Sequence, residues 1–308
     1  MKRSAWWLLL IATVVPALAL AHGGADAAKR GVEASMLVTG TITVNSQGGV
    51  QSYTVQDSDK LPTAVQQIIQ TTVSRWQFVP IVAEGKAVSA EAGMSLRIVA
   101  DMTDAQHATI RVASAAFGCE ARPKSNLPGE CPAGTAVRYV HRQSPDYPRT
   151  AARAGVGGEV FLVIQVGRDG HVTQAAARQV NLYRLTDEPA LYRKMLAEAS
   201  LQAARKWEFS IPTAGPNAAK DHWIVQVPIN YTLAGVPRDA CGAIPCSSPR
   251  PYAWRAYVPG PVQSISWDPE STSTSSSTST DAIASDGLFV RDTRFVLKTA
   301  LADGSGRS

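Results

Sequence analysis

The sequence predicts an α+β protein built from two small antiparallel sheets, each packed by one helix in the order strand, strand, helix, strand. Three observations predict it. Apolar residues alternate, change to a four-residue spacing and then alternate again; Gly-containing turns separate the alternating runs; and a Trp-x-Phe box occurs twice, at residues 76–78 and 207–209.

The pattern is clearest in the second half. Val160, Leu162, Ile164 and Val166 alternate along one strand face, and Arg168, Asp169 and Gly170 turn the chain into a second strand over residues 171–180. Thr186 and Asp187 offer helix caps, and Pro189 fits a first helical turn. Leu191, Met195, Ala199, Ala203 and Trp207 then recur at four-residue spacing, predicting an apolar helix face that closes on Trp207, Glu208 and Phe209. After a Gly- and Pro-rich loop, Val225, Val227, Ile229, Tyr231 and Leu233 alternate as a third strand.

The first half runs in the same order and is shorter. Val38, Ile42 and Val44 alternate, Gln47, Gly48 and Gly49 turn the chain, and residues 50–55 return. The helix carries Val65, Ile69, Thr72 and Trp76 on one face, and Met94, Leu96, Ile98 and Ala100 form the third strand. A repeat this long predicts two stacked or tethered domains, since a solenoid needs at least three short units.

Outside the two copies the chain changes character. Lys2 and Arg3 precede an apolar run, Pro16 breaks it, and Ala19, Leu20, Ala21 stand before His22, the layout of a secretory signal peptide. Residues 5–21 also approach the length of a membrane anchor, so an uncleaved segment is the alternative. The chain divides into a signal segment (1–21), a divergent first domain (31–113), a disulfide-stapled connector (114–143), a second domain (144–236), a Pro- and aromatic-rich extension (237–270), a Ser/Thr linker (271–280) and a tail (281–308). A strand over residues 108–113 opens the connector region. The extension lacks a core of its own, and the tail holds one strand, residues 288–297, without an evident partner.

With 45% hydrophobic and 18% charged residues, the 308-residue chain can bury a core. The net charge of +5 reads as a solvated basic surface with weak attraction to anionic envelope components; an exported chain meets no nucleic acid. Cys119 and Cys131 lie 12 positions apart, and Cys241 and Cys246 lie 5 apart. In an oxidising compartment such local pairs predict two disulfides, and no histidine has the spacing of a zinc ligand beside them.

Residues 145–233 resemble the C-terminal domain of TonB-type energy transducers. The resemblance rests on Tyr147, Pro148, Ala151, Ala152, Gly155, Gly158, Val160, Asp169, Gly170, Val172, Trp207, Phe209, Val227, Pro228 and Ile229, all in the family's order. Residues 36–100 are similar only over the strands and the Trp-Gln-Phe-Val-Pro box. The resemblance implies a protein–protein coupling module whose last strand pairs with a segment of an outer-membrane receptor. It implies periplasmic envelope partners, and inner-membrane motor proteins only if the N-terminal segment stays uncleaved. The chain departs from the family in two ways: no long Pro-rich spacer precedes the first domain, and the apolar segment lacks the histidine that engages the motor. A static envelope scaffold that binds peptidoglycan or lipoproteins is the alternative function.

Trp207 and Phe209 read as core anchors, Tyr147 and Pro148 as residues fixing the chain's entry to the sheet, and His171 as a solvated imidazole beside a turn. Gly155, Gly157 and Gly158 precede a strand and so offer no helix terminus to a phosphate. Asp187 and Glu188 read as favourable charge at a helix start. No Gly-x-Ser-x-Gly, His-Glu-x-x-His or helical Ser-x-x-Lys is present, so the sequence predicts no enzyme, no metal, no cofactor and no small-molecule substrate. Pro228 has no N–H for a ladder, which places the third strand at a sheet edge or at a bulge. The predicted partner-binding residues are accordingly Val225, Gln226, Val227, Ile229, Asn230 and Tyr231, with negative selection against pairing as the other meaning of Pro228.

Overall fold

A computed structural model describes residues 33–102, 108–120, 130–215, 217–233, 252–268, 281–283 and 287–301. The expected signal segment, Cys241 with Cys246, and the Ser/Thr linker lie outside the described residues.

The strands are β1 (Glu33–Val44), β2 (Val50–Val55), β3 (Val82–Ala83), β4 (Lys86–Ala87), β5 (Ala90–Met102), β6 (Ala108–Glu120), β7 (Arg138–His141), β8 (Gly158–Gly167), β9 (Val172–Leu182), β10 (Glu208–Ser210), β11 (His222–Tyr231), β12 (Arg255–Tyr257) and β13 (Phe289–Arg291). Three helices accompany them: α1 (Thr63–Val73), α2 (Arg149–Arg153) and α3 (Pro189–Ala204). The expected strand, strand, helix, strand order is present twice, as β1, β2, α1, β5 and as β8, β9, α3, β11.

The sequence pattern does not reveal that both units share one nine-stranded sheet, in the order β12-β1-β5-β6-β13-β11-β8-β9 with β2 also on β1. Its ladders are antiparallel. The two ends of this order also meet. Val258, just after β12, bridges Leu182 at the end of β9, with Leu182 N–H donating to Val258 O at 3.0 Å and Val258 N–H returning at 2.6 Å. Gln263 N–H continues the contact onto Arg178 O at 2.7 Å. The pairing path is therefore closed, which leaves the sheet few free edges.

One face of each half is covered by its helix. Val65, Ile69 and Val73 of α1 pack with Val38, Ile42, Leu96 and Ile98, while Leu196 and Ala204 of α3 pack with Val160, Leu162, Ile164, Val225 and Val227. Both helix faces differ from the sequence expectation by one residue. Leu191 is exposed and Met195, Ala199 and Ala203 are only half-buried, whereas Leu196, Ser200 and Ala204 are buried. Ser200 can occupy a core position because its hydroxyl bonds Leu196 O and Tyr231 OH, both at 2.8 Å. In α1 it is Val73, not Thr72, that is buried. The cap of α3 is Glu188, without a side-chain bond, rather than Thr186 or Asp187.

The opposite faces of the two halves meet inside the closed sheet, and the contact is polar. Arg97 leaves β5 at a bulge where Ala113 on β6 is unmatched. Its guanidinium donates to Ser35 Oγ at 2.7 Å and to the main-chain oxygen of Asp281, and lies 3.5 Å from a Glu159 carboxylate oxygen on β8. It also faces the rings of Phe161 and Tyr257 at 5.8 and 5.4 Å. Burial alone would lower the Arg97 pKa; Asp281 and Glu159 outweigh it, so the group is held above its ordinary value.

The connector and tail expectations need correction, and the extension, which has no core of its own, packs on the sheet. The connector beginning at 114 is strand as far as Glu120, because the small residues Ser114, Ala115 and Ala116 are buried between β5 and the tail. The described part of the extension is packed, with Tyr252, Trp254 and Tyr257 buried and β12 paired to β1. The tail strand is only Phe289–Arg291, and its partners are β6 and β11. Cys119 and Cys131 are joined by a disulfide that ties the end of β6 to the chain entering the second half.

Candidate functional site

The site is assembled around β11. Its ladder with β8 is regular from His222↔Gly167 to Tyr231↔Gly158, passing through Pro228↔Phe161 without a bulge. A regular antiparallel strand sends the main-chain groups of alternate residues to opposite neighbours. Pro228 has no N–H to give β8, so Gln226, Pro228 and Asn230 form the row that points away from β8. The predicted edge is therefore partly occupied: β13 lies on that side and pairs at Gln226↔Phe289.

The side chains of the predicted set divide by the strand's two faces. Val225, Val227 and Ile229 are buried in the α3-facing core with Tyr231. Gln226 is buried on the inner face, and its Oε1 has no hydrogen-bond partner among the described residues. Asn230 is half-buried, and its Oδ1 accepts from the Tyr183 hydroxyl at 2.9 Å. What this strand can offer another chain is thus main chain, chiefly beyond Gln226.

The family-motif residues hold β11 and its neighbours in place. Tyr231 bonds Ser200, and burial raises its phenol to about 12, so it is a neutral core group. Tyr147 stands edge-on to the Tyr231 ring at 5.3 Å and donates to Val156 O at 3.0 Å, while Pro148 caps α2. At Gly158 a Cβ would sit 2.5 Å from Asn181 O, so only glycine permits this approach of β8 and β9.

Trp207 Nε1–H donates to Gln143 O at 2.8 Å, and its ring meets Tyr139 edge-on. Phe209 N–H donates to Gly170 O at 2.8 Å, and Gly170, at φ 80°, has no room for a Cβ beside Phe209 O. Asp169 completes the turn by accepting from His171 N–H at 3.1 Å. The first half repeats this join: Gly48 has φ 86°, and Phe78 N–H donates to Gly48 O at 2.8 Å.

Tyr147 meets Tyr231 of β11, and Trp207 shares the α3-facing core with Val225, Val227 and Ile229. The sequence reading missed Phe289, Arg97 and Tyr183. The run Leu288, Phe289, Val290 carried an apolar signal, but nothing local revealed its partner. Among the described residues there is no group of His, Cys, Asp and Glu that could hold a metal ion, and no helix is long and apolar enough to cross a membrane.

The second half is thus a helix-backed antiparallel module in which β11 lies between β8 and the short β13. Residues 143–233 match the family described as Gram-negative bacterial TonB protein C-terminal, and this segment carries a domain of that family. Two proteins called Protein TonB, from two strains of Xanthomonas campestris pv. campestris, are each 34% identical to this chain over 101 residues. That stretch is 33% of this chain and 40% of theirs, so the chain spans less than half the length of the curated relatives it matches. No solved structure matches.

Proposed function

We propose that this is a partner-binding protein of the Gram-negative envelope, exported to the periplasm, whose β11 edge receives an extended segment of an outer-membrane receptor. The observation that carries the reading is the outward main-chain row Gln226, Pro228, Asn230, of which β13 pairs with Gln226. A strand laid along Pro228 and Asn230 would pair with the outward C=O of Pro228 and the outward main-chain groups of Asn230. The likeness of residues 143–233 to the TonB C-terminal domain supports the same reading, and with it a contribution to energy-dependent transport. Engagement of an inner-membrane motor requires the N-terminal segment to remain uncleaved. The matching Gly48–Phe78 and Gly170–Phe209 joins support descent of the two halves from one module.

The experiment is calorimetric titration of the whole chain with synthetic peptides copying the periplasmic N-terminal segments of outer-membrane receptors from the same bacterium. Binding that weakens at least about tenfold in Asn230→Pro, with unchanged circular dichroism, is the expected result. Absence of binding, or equal affinity in the folded variant, would remove β11 from the proposal. The static-scaffold alternative is favoured by one observation: the chain's own tail strand lies in the gap between β6 and β11.

A further inference from the structure

The gap between β6 and β11 is filled by residues far away in sequence, and the two sides of the filling are unequal. β13 holds β6 through three pairs, Phe289↔Glu120, Val290↔Cys119 and Arg291↔Gly118, and among the described residues it pairs with β11 at Gln226↔Phe289. The chain after β13 adds further anchors on the first half only. Phe295 stacks on Phe117 at 6.2 Å, Val79 N–H donates to Val296 O at 2.9 Å, and Lys298 N–H donates to Gln77 O at 2.7 Å. The chain after β13 is thus fastened to the first half, while β13 itself also enters the second half's core through Leu288.

The way β13 sits also shows what the position accepts. Leu288 is buried in the α3-facing core and Val290 packs against it, while Phe289 points to the other face, among Ala116, Ala282 and Ile283. Alternation of this kind is how a pleated strand fills pockets on both faces of a sheet.

We propose that β13 is a resident strand on the partner edge, and that a partner pairs fully with β11 only by displacing Phe289 from Gln226. This rests on the reading of β11 as that edge. The partner it selects is an extended peptide with an aromatic or large aliphatic residue opposite Gln226 and aliphatic residues on either side. Since the resident strand belongs to the same chain, it competes at an effective concentration of roughly a millimolar, and a free peptide of equal intrinsic affinity must exceed that to enter.

The test uses the full chain and a synthetic peptide copying residues 287–293, followed by NMR at the β11 amides. The intact chain should half-saturate no lower than roughly a millimolar, and Phe289→Asp should bind at least about tenfold more tightly. Phe289 also packs inside the sheet, so a second variant is read beside it: Gln226→Cys with Phe289→Cys, oxidised to join β11 and β13, which should not bind at β11. Equal affinity of intact and Phe289→Asp chains, or peptide entering β11 in the cross-linked chain, overturns the proposal. The receptor peptides separate this idea from the reading beneath it. If they bind intact and cross-linked chains alike, the resident-strand proposal falls and the partner edge stands. If they bind no form of the chain while the 287–293 peptide exchanges, the receptor reading falls and the resident strand stands.

Discussion

Trp76 and Trp207 close equivalent helices, are both about 1% exposed, and differ in what surrounds their indole nitrogens. Trp207 Nε1–H donates to Gln143 O at 2.8 Å, whereas Trp76 Nε1 is buried with no partner among the described residues. Replacing either by Phe removes similar volume, at a cost on the order of 1–3 kcal/mol common to both. Trp207→Phe additionally loses a hydrogen bond, about 1 kcal/mol net. Trp76→Phe instead removes an unsatisfied buried donor, which returns about 1–3 kcal/mol. Trp207→Phe should therefore be the more destabilising by about 2–4 kcal/mol. Urea denaturation of the full chain, followed by far-ultraviolet circular dichroism, measures the difference. Equal losses, or a greater loss for Trp76→Phe, would refute the reasoning.

Three further predictions follow from the packing. Gly170→Ala and Gly48→Ala should each lower stability by at least about 2 kcal/mol, from left-handed backbone strain plus a Cβ placed 2.2 Å from a carbonyl oxygen; Gly85→Ala, at φ 77° in open space, should cost only about 1, and thermal melts of the three variants decide. Arg97→Met removes the buried cation beside Glu159 and Asp281 and should cost about 3–5 kcal/mol in denaturant titration; a neutral result would show that the inner polar contact contributes nothing. Burial raises the phenols of Tyr231 and Tyr252 to about 12 and pushes Tyr257 upward too, so the folded state holds these protons more tightly than the unfolded chain, whose tyrosines titrate near 10. That part of the stability is complete below about pH 10 and drains as pH rises through 12; denaturation midpoints at pH 9 and 11 should fall, less so in Tyr231→Phe, and a flat profile would contradict it.

What could be read from the sequence was local. The alternation on β8 and β11, the Asp169–Gly170 turn, the Trp207–Phe209 box and the Cys119–Cys131 pair each depend on residues close in the chain or on a regular period. The α3 face was displaced by one residue because Ser200 counts as polar in a pattern, yet its hydroxyl is satisfied by Leu196 and Tyr231. The end of β6 read as loop because Ser114, Ala115 and Ala116 give no alternation, although small residues are what a strand crowded on both faces requires. The closure through Val258 and the insertion of β13 pair residues at least 76 and 63 positions apart, Leu182 with Val258 and Gln226 with Phe289. No periodicity carries such pairings. The sequence pattern therefore delimited the strand β11, while the tail strand that lies beside it was not legible.

The central claim is that the outward main chain of β11 is where another protein binds. Residue-resolved amide hydrogen exchange of the full chain, with and without a receptor peptide, tests it most directly. The account predicts that the Asn230 amide exchanges more slowly with peptide bound while the Phe289 amide exchanges faster. Protection confined to another surface, with Asn230 unchanged, would contradict it.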